Sequence, residues 1–93
     1  MSITEYLETQ GIKHSHLGFT YLSDAIKIAH IEGIDFKLSY IHKAVADSRK
    51  STPARIERNM RHAIRAAGHK ENLKEFIATA VFRLEEEDNG QTD

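Results

Sequence analysis

The sequence predicts an all-α fold, a compact five-helix domain containing a helix-turn-helix. Three observations carry this reading. Apolar residues recur at the helical spacing i, i+3, i+4, i+7 in successive segments, and no segment alternates over a strand's length. Capping residues precede these segments and glycines follow them. A short run without apolar residues, Arg49-Lys50-Ser51-Thr52, joins two of the segments by a turn rather than a long loop.

The first helix starts at Ser2, a good N-cap, with Glu5 three residues on completing a capping box. It runs to about Gln10, buries Ile3, Tyr6 and Leu7, and ends before Gly11, where a left-handed cap fits. Residues 12–18 form a connection that holds His14 and His16. The second helix, Phe19 to about Ile31, carries Leu22, Ala25, Ile26 and Ala29 on one face, and Gly33 closes it. Asp35 is placed to cap a third helix from Phe36 to about Ser48, with Leu38, Ile41, Ala44 and Val45 inward. Thr52 caps the fourth, and Pro53 sits at its first position, where a missing N–H costs nothing. Its stripe is Ile56, Met60, Ala63, Ile64 and Ala67, and Gly68 ends it. Asn72 and Glu75 form a second capping box ahead of a fifth helix that buries Leu73, Phe76, Ile77, Ala80, Val81 and Leu84. Residues 1–84 are thus read as one helical helix-turn-helix domain, and residues 85–93 as an acidic disordered tail.

Composition excludes several function classes. The 93 residues contain no cysteine, which rules out a disulfide framework, a thiolate nucleophile and a cysteine zinc site. No apolar run approaches the roughly 20 residues of a membrane span, and the N-terminus lacks the basic and apolar regions of a signal peptide. The expectation is a soluble, cytoplasmic protein without membrane partners. His14-Ser15-His16 has no carboxylate cluster at ligand spacing, so no metal site is expected. His30, His42 and His69 read as helix-surface or boundary residues. No Gly-rich phosphate loop or catalytic constellation can be assembled, so neither an enzyme nor a cofactor is expected.

The formal net charge of −1 hides an uneven distribution. Five of the 14 acids lie in the last nine residues, leaving residues 1–84 with thirteen basic against nine acidic groups, a net of +4. Residues 49–65 hold six basic side chains against Glu57 alone, a net of +5. Local charge decides whether a surface can hold phosphates. If the apolar stripe of the fourth helix faces the core, its opposite face presents Arg55, Arg58, Arg61, His62 and Arg65 at spacings of three and four. A guanidinium fork matches O6 and N7 of guanine, and a glutamate can accept from cytosine N4. Thr52 and the first-turn N–H groups can hold a phosphate. The plain alternative is a solvated helix face on which Glu57 and Arg61, four apart, simply pair. Periodicity and charge alone leave both readings open.

The segment Ala54-Arg55-Ile56-Glu57-Arg58-Asn59-Met60-Arg61-His62-Ala63-Ile64 resembles the recognition helix of the C-terminal DNA-binding effector domain of the sporulation master response regulator, the stage-zero sporulation factor family. Ile3-Thr4-Glu5 with Leu7 and Gly11-Ile12, Gly18-Phe19 with Tyr21-Leu22 and Ala25-Ile26, and Glu75-Phe76-Ile77-Ala78 with Arg83-Leu84 resemble other landmarks of that family in the same order. The resemblance implies sequence-specific binding to double-stranded DNA by a transcription regulator. It implies base reading by Glu57, Arg58 and Arg61, with backbone contacts from Arg55 and His62. Thr52, Arg65 and Lys50 join the backbone set by their position and charge. A single short domain offers few phosphate contacts, so tight binding calls for a homodimer or tandem arrangement on DNA. RNA polymerase or a related regulator is the protein partner in view.

Three departures from the family pattern stand out. The family's effector domain follows a receiver domain, and this sequence includes none. The stretch from Gly68 to Glu75 is shorter than the family's connection. Arg49 occupies a position where an apolar residue is expected. These departures motivate a rival: a protein-interaction module of the same fold that dimerises, or modulates a full-length regulator, without strong DNA binding.

Overall fold

The computed structural model describes residues 1–33 and 35–90. Five helices follow one another: α1 (Ile3–Thr9), α2 (Leu17–Glu32), α3 (Leu38–Arg49), α4 (Pro53–Ala66) and α5 (Leu73–Gly90). No strand occurs among the described residues. Helix α2 is the hub. It packs against each of the other four, and α4 also packs on α3 and α5. Tyr6, Leu7, Leu22, Ile26, Ile41, Val45, Ile56, Met60, Ile64, Phe76 and Ile77 meet in one apolar core. No helix is long and apolar enough to cross a membrane among these residues.

Most of the local signals act as the sequence suggests. Ser2 and Glu5 form the reciprocal capping box of α1. Thr52 Oγ1 accepts from the Arg55 amide at 3.3 Å, with Pro53 in the first turn of α4. At the start of α5 only half of the expected capping box forms: Asn72 Oδ1 accepts from the Glu75 amide at 2.8 Å, and among the described residues the Glu75 carboxylate makes no return bond to the Asn72 amide. Gly11 and Gly68, at φ of 80° and 90°, reverse the chain after α1 and α4. In both turns the following amide returns to a carbonyl in the last helical turn: Ile12 to Leu7, and His69 to Ile64.

Gly18 has a different reason to be glycine. A Cβ there would lie 2.3 Å from the carbonyl oxygen of Asn59 and 2.6 Å from the Ala63 Cβ. Helices α2 and α4 therefore cross in near backbone contact, and this crossing fixes how α4 is presented.

Four boundaries differ from the sequence reading. Helix α2 begins at Leu17 rather than Phe19, so Leu17 and Gly18 belong to the helix and not to the connection before it. Helix α3 begins at Leu38, its N-cap position is Lys37, and no side chain caps it. Asp35 does not cap because the chain first turns through a Phe36 N–H to Gly33 carbonyl bond, which buries Phe36 in the core. Arg49 belongs to α3, and Lys50 adopts the left-handed conformation (φ 54°, ψ 50°) that ends it. That conformation costs a non-glycine residue about 1–2 kcal/mol. Helix α5 continues to Gly90, past the boundary drawn at Leu84, through glutamates that are good helix formers. Residues 91–93 of the expected tail lie outside the described residues.

Candidate nucleic-acid interface

Helix α3, the turn Lys50–Thr52 and helix α4 form the helix-turn-helix. Ile56, Met60, Ala63 and Ile64 anchor α4 in the core. That burial forces the opposite face outward, and Arg55, Arg58, Arg61, His62 and Arg65 are all exposed on it. Fourteen residues at about 1.5 Å each make a rod of some 20 Å. A major groove about 12 Å wide admits such a helix.

The exposed side chains are not equivalent. Among the described residues, the side chains of Arg55 and Arg58 make no hydrogen bond or ion pair. Arg61 pairs through Nη2 with Glu57 Oε1 one turn earlier. Glu57 is half-buried at the edge of the face, while Arg61 is well exposed. Asn59 Nδ2 is turned back onto the Arg55 carbonyl at 2.8 Å. Arg65 reaches in the other direction: its Nη1 donates to the carbonyls of His69 (2.9 Å) and Glu71 (2.8 Å), tying down the α4–α5 connection. Among the described residues, its remaining N–H groups make no such bond. Lys50 and Thr52 stand exposed at the turn, beside the positive end of the α4 dipole.

Arg49 leaves the basic cluster that its position in the sequence suggests. Its Nε and Nη2 grip the Asp24 carboxylate of α2 at 2.7 and 3.0 Å, and this pairing raises the Arg49 pKa further. An arginine is tolerated at the expected apolar position because a carboxylate on the neighbouring helix receives it.

Two histidines emerge that sequence spacing did not single out. His42 of α3 is half-buried, with an Nε2 that has no hydrogen-bond partner among the described residues. Burial, and secondarily the charge of Arg61, hold its pKa below the usual imidazole range. His16, at the N-terminus of α2, lies edge-on to His62 of α4, with ring centroids 5.3 Å apart. Its sequence neighbour His14 instead stacks on Phe19 at 4.0 Å and bonds Glu8 at 2.8 Å. The two histidines of the His-Ser-His run therefore serve different neighbours. No cluster of three metal-ligating side chains occurs among the described residues. His42 falls one position beside the α3 stripe, and the His16–His62 approach depends on the tight Gly18 crossing, so neither leaves a local pattern.

A family model described as sporulation initiation factor Spo0A C terminal matches residues 3–92, nearly the whole chain. No curated protein gives a significant match.

Proposed function

We propose, from the premise that the chain belongs to the Spo0A C-terminal family of DNA-binding effector domains, that it binds double-stranded DNA sequence-specifically as a transcription regulator. The family is one of regulators, not enzymes. The observation that carries the finer reading is the exposed face of α4, where, among the described residues, Arg58 makes no hydrogen bond or ion pair and Arg61 pairs with the half-buried Glu57.

In this reading α4 lies in the major groove. Arg58 and Arg61 donate to guanine O6 and N7, and Glu57 accepts from cytosine N4. The Glu57–Arg61 pair supports that geometry rather than opposing it. It places the two side chains next to each other, and each keeps donors or acceptors for a base edge. Arg55, His62, Lys50 and the Thr52 hydroxyl contact phosphates at the rim. Arg65 does so with the N–H groups that the α4–α5 connection leaves free. Those contacts orient the helix and carry no sequence information.

Fluorescence anisotropy with a duplex carrying the sporulation-regulator box and a scrambled duplex, across a salt series, tests the proposal. A preference for the box that survives added salt is expected. Equal affinity for both duplexes, falling together with salt, would reduce α4 to a phosphate-binding surface.

A second reading has its own observation. Phe82 is 64% exposed on the outward face of α5, with Ala78 beside it and the edge of Phe36 nearby, forming an apolar groove away from α4. That surface suits a protein contact with a second copy, RNA polymerase or a related regulator. It is compatible with DNA bound on α4.

A further inference from the structure

We infer that His16 and His62 together form a site for one DNA phosphate, so that DNA binding by this domain takes up protons. The inference rests on the reading of α4 as the DNA-binding helix and extends the footprint to a second element, the N-terminus of α2.

The geometry is specific. The Gly18 crossing brings the start of α2 against the backbone of α4 at Asn59 and Ala63. His16 and His62, two residues before Gly18 and one before Ala63, meet edge to face at the rim of that crossing. His62 is exposed and His16 partly so. Among the described residues, neither imidazole has a hydrogen bond or a carboxylate partner. This sets them apart from His14, His30 and His69, which each lie within 4.0 Å of a glutamate.

The charged groups around the pair are mostly positive. On α4, Arg58 and Arg65 lie one turn either side of His62. In the connection before α2, Lys13 and His14 are exposed. From α1 the acid on that side is Glu8, and His14 occupies it. Farther along α2, Asp24 is occupied by Arg49. A phosphate at the rim offers acceptors to both rings and an opposite charge to both imidazolium forms. A phosphate bound there therefore favours the protonated rings. No side chain caps the first turn of α2, so its dipole adds to the attraction.

The sign follows from linkage. Binding that takes up protons strengthens as pH falls, by at most about tenfold per pH unit for each proton gained. Imidazole titration places the effect between about pH 6 and 8. His42 also faces α4 beside Arg61 and could contribute to any pH profile, so the test must isolate His16.

The test measures the affinity for the box duplex from pH 6 to 8 in the wild type and in His16→Asn, His62→Asn and His30→Asn. Asn cannot titrate in this range, and it caps helices well, so α2 should still form in His16→Asn; thermal melts confirm folding. The wild type is expected to bind severalfold tighter at pH 6 than at pH 8. His16→Asn and His62→Asn should each remove a substantial part of that dependence. At pH 6 each should also lower the salt slope by a fraction of the roughly 0.9 expected per phosphate contact. His30→Asn, on the far end of α2, should match the wild type. If box preference is intact but His16→Asn keeps the wild-type pH and salt profiles, this inference is overturned and the DNA reading stands. If the wild type shows no preference for the box, the DNA reading itself fails and this inference fails with it.

Discussion

Arg58 and Arg65 are one helix, seven residues and two turns apart, yet they belong to different parts of the molecule. Both are exposed, and both project from the face opposite the core. Arg58 ends in solvent, whereas Arg65 binds two carbonyls of the α4–α5 connection. Arg49 joins Arg65 on the structural side, through Asp24. A basic cluster counted along the chain is therefore an overestimate of the charge a ligand meets. Of six basic residues in 49–65, two have donors committed to the fold and a third is paired with Glu57. The free charge is concentrated toward the N-terminal half of α4, where a recognition helix usually enters the groove.

The buried side of the same helix sets the scale. Ile56→Ala should destabilise the fold by about 2–5 kcal/mol through lost burial and the cavity left behind. Thermal or urea unfolding would measure this. Any loss of DNA affinity should disappear when folded protein alone is counted. An unchanged melt would mean that α4 is rotated and that the arginines face elsewhere.

Arg58→Ala should do the opposite. The fold should melt at the wild-type temperature, while binding to the preferred duplex weakens by about 1–3 kcal/mol and discrimination relaxes at one base pair. Anisotropy against single-base variants of the box would read both effects. A uniform loss on every sequence would reassign Arg58 to the phosphates.

The pattern of what the sequence reveals follows the same division. Helix α4 was legible almost to the residue, because Thr52, Pro53, the Ile56-to-Ala67 stripe and Gly68 are local signals with local physical causes. So was the outward direction of its arginines. The start of α3 was not, since Asp35 offers a cap that burial of Phe36 overrides. The partners of Arg49 and His16 were not either. They lie 25 and 46 positions away, on elements brought together only by the packed core. Gly18 shows the limit most clearly. Its identity reads as a helix-start glycine, but its role is set by the Asn59 carbonyl across the crossing.

Arg65→Ala tests the structural side of the comparison. The lost bonds are charge-assisted but solvent-exposed, so a loss of about 1 kcal/mol is expected, below the usual range for bonds to charged groups. For a domain of this size that corresponds to a Tm lower by about 4–8 °C. Affinity should fall modestly and equally on box and scrambled duplexes. A Tm equal to that of Arg58→Ala would put the two arginines in one class after all.

The smallest expected effect concerns His42, and it asks whether Arg61 is electrostatically free. Burial is the larger cause that holds the His42 pKa down, and the charge of Arg61 is the second. The folded chain thus resists protonation that the unfolded chain accepts. Stability from this source is complete above the ordinary imidazole value of about 6.5 and declines as pH falls below it. The capping carboxylate of Glu5, held down by its bonds with Ser2, acts only in the lower carboxylate range, so the two windows separate. Unfolding curves between pH 5 and 7.5 should show the decline in the wild type and a flatter profile in His42→Gln. Arg61→Gln should flatten it partway, since burial remains when the charge is removed. If Glu57 neutralised Arg61 completely, Arg61→Gln would leave the profile unchanged. The pair would then be an inert surface bridge, with Arg58 left as the principal base reader.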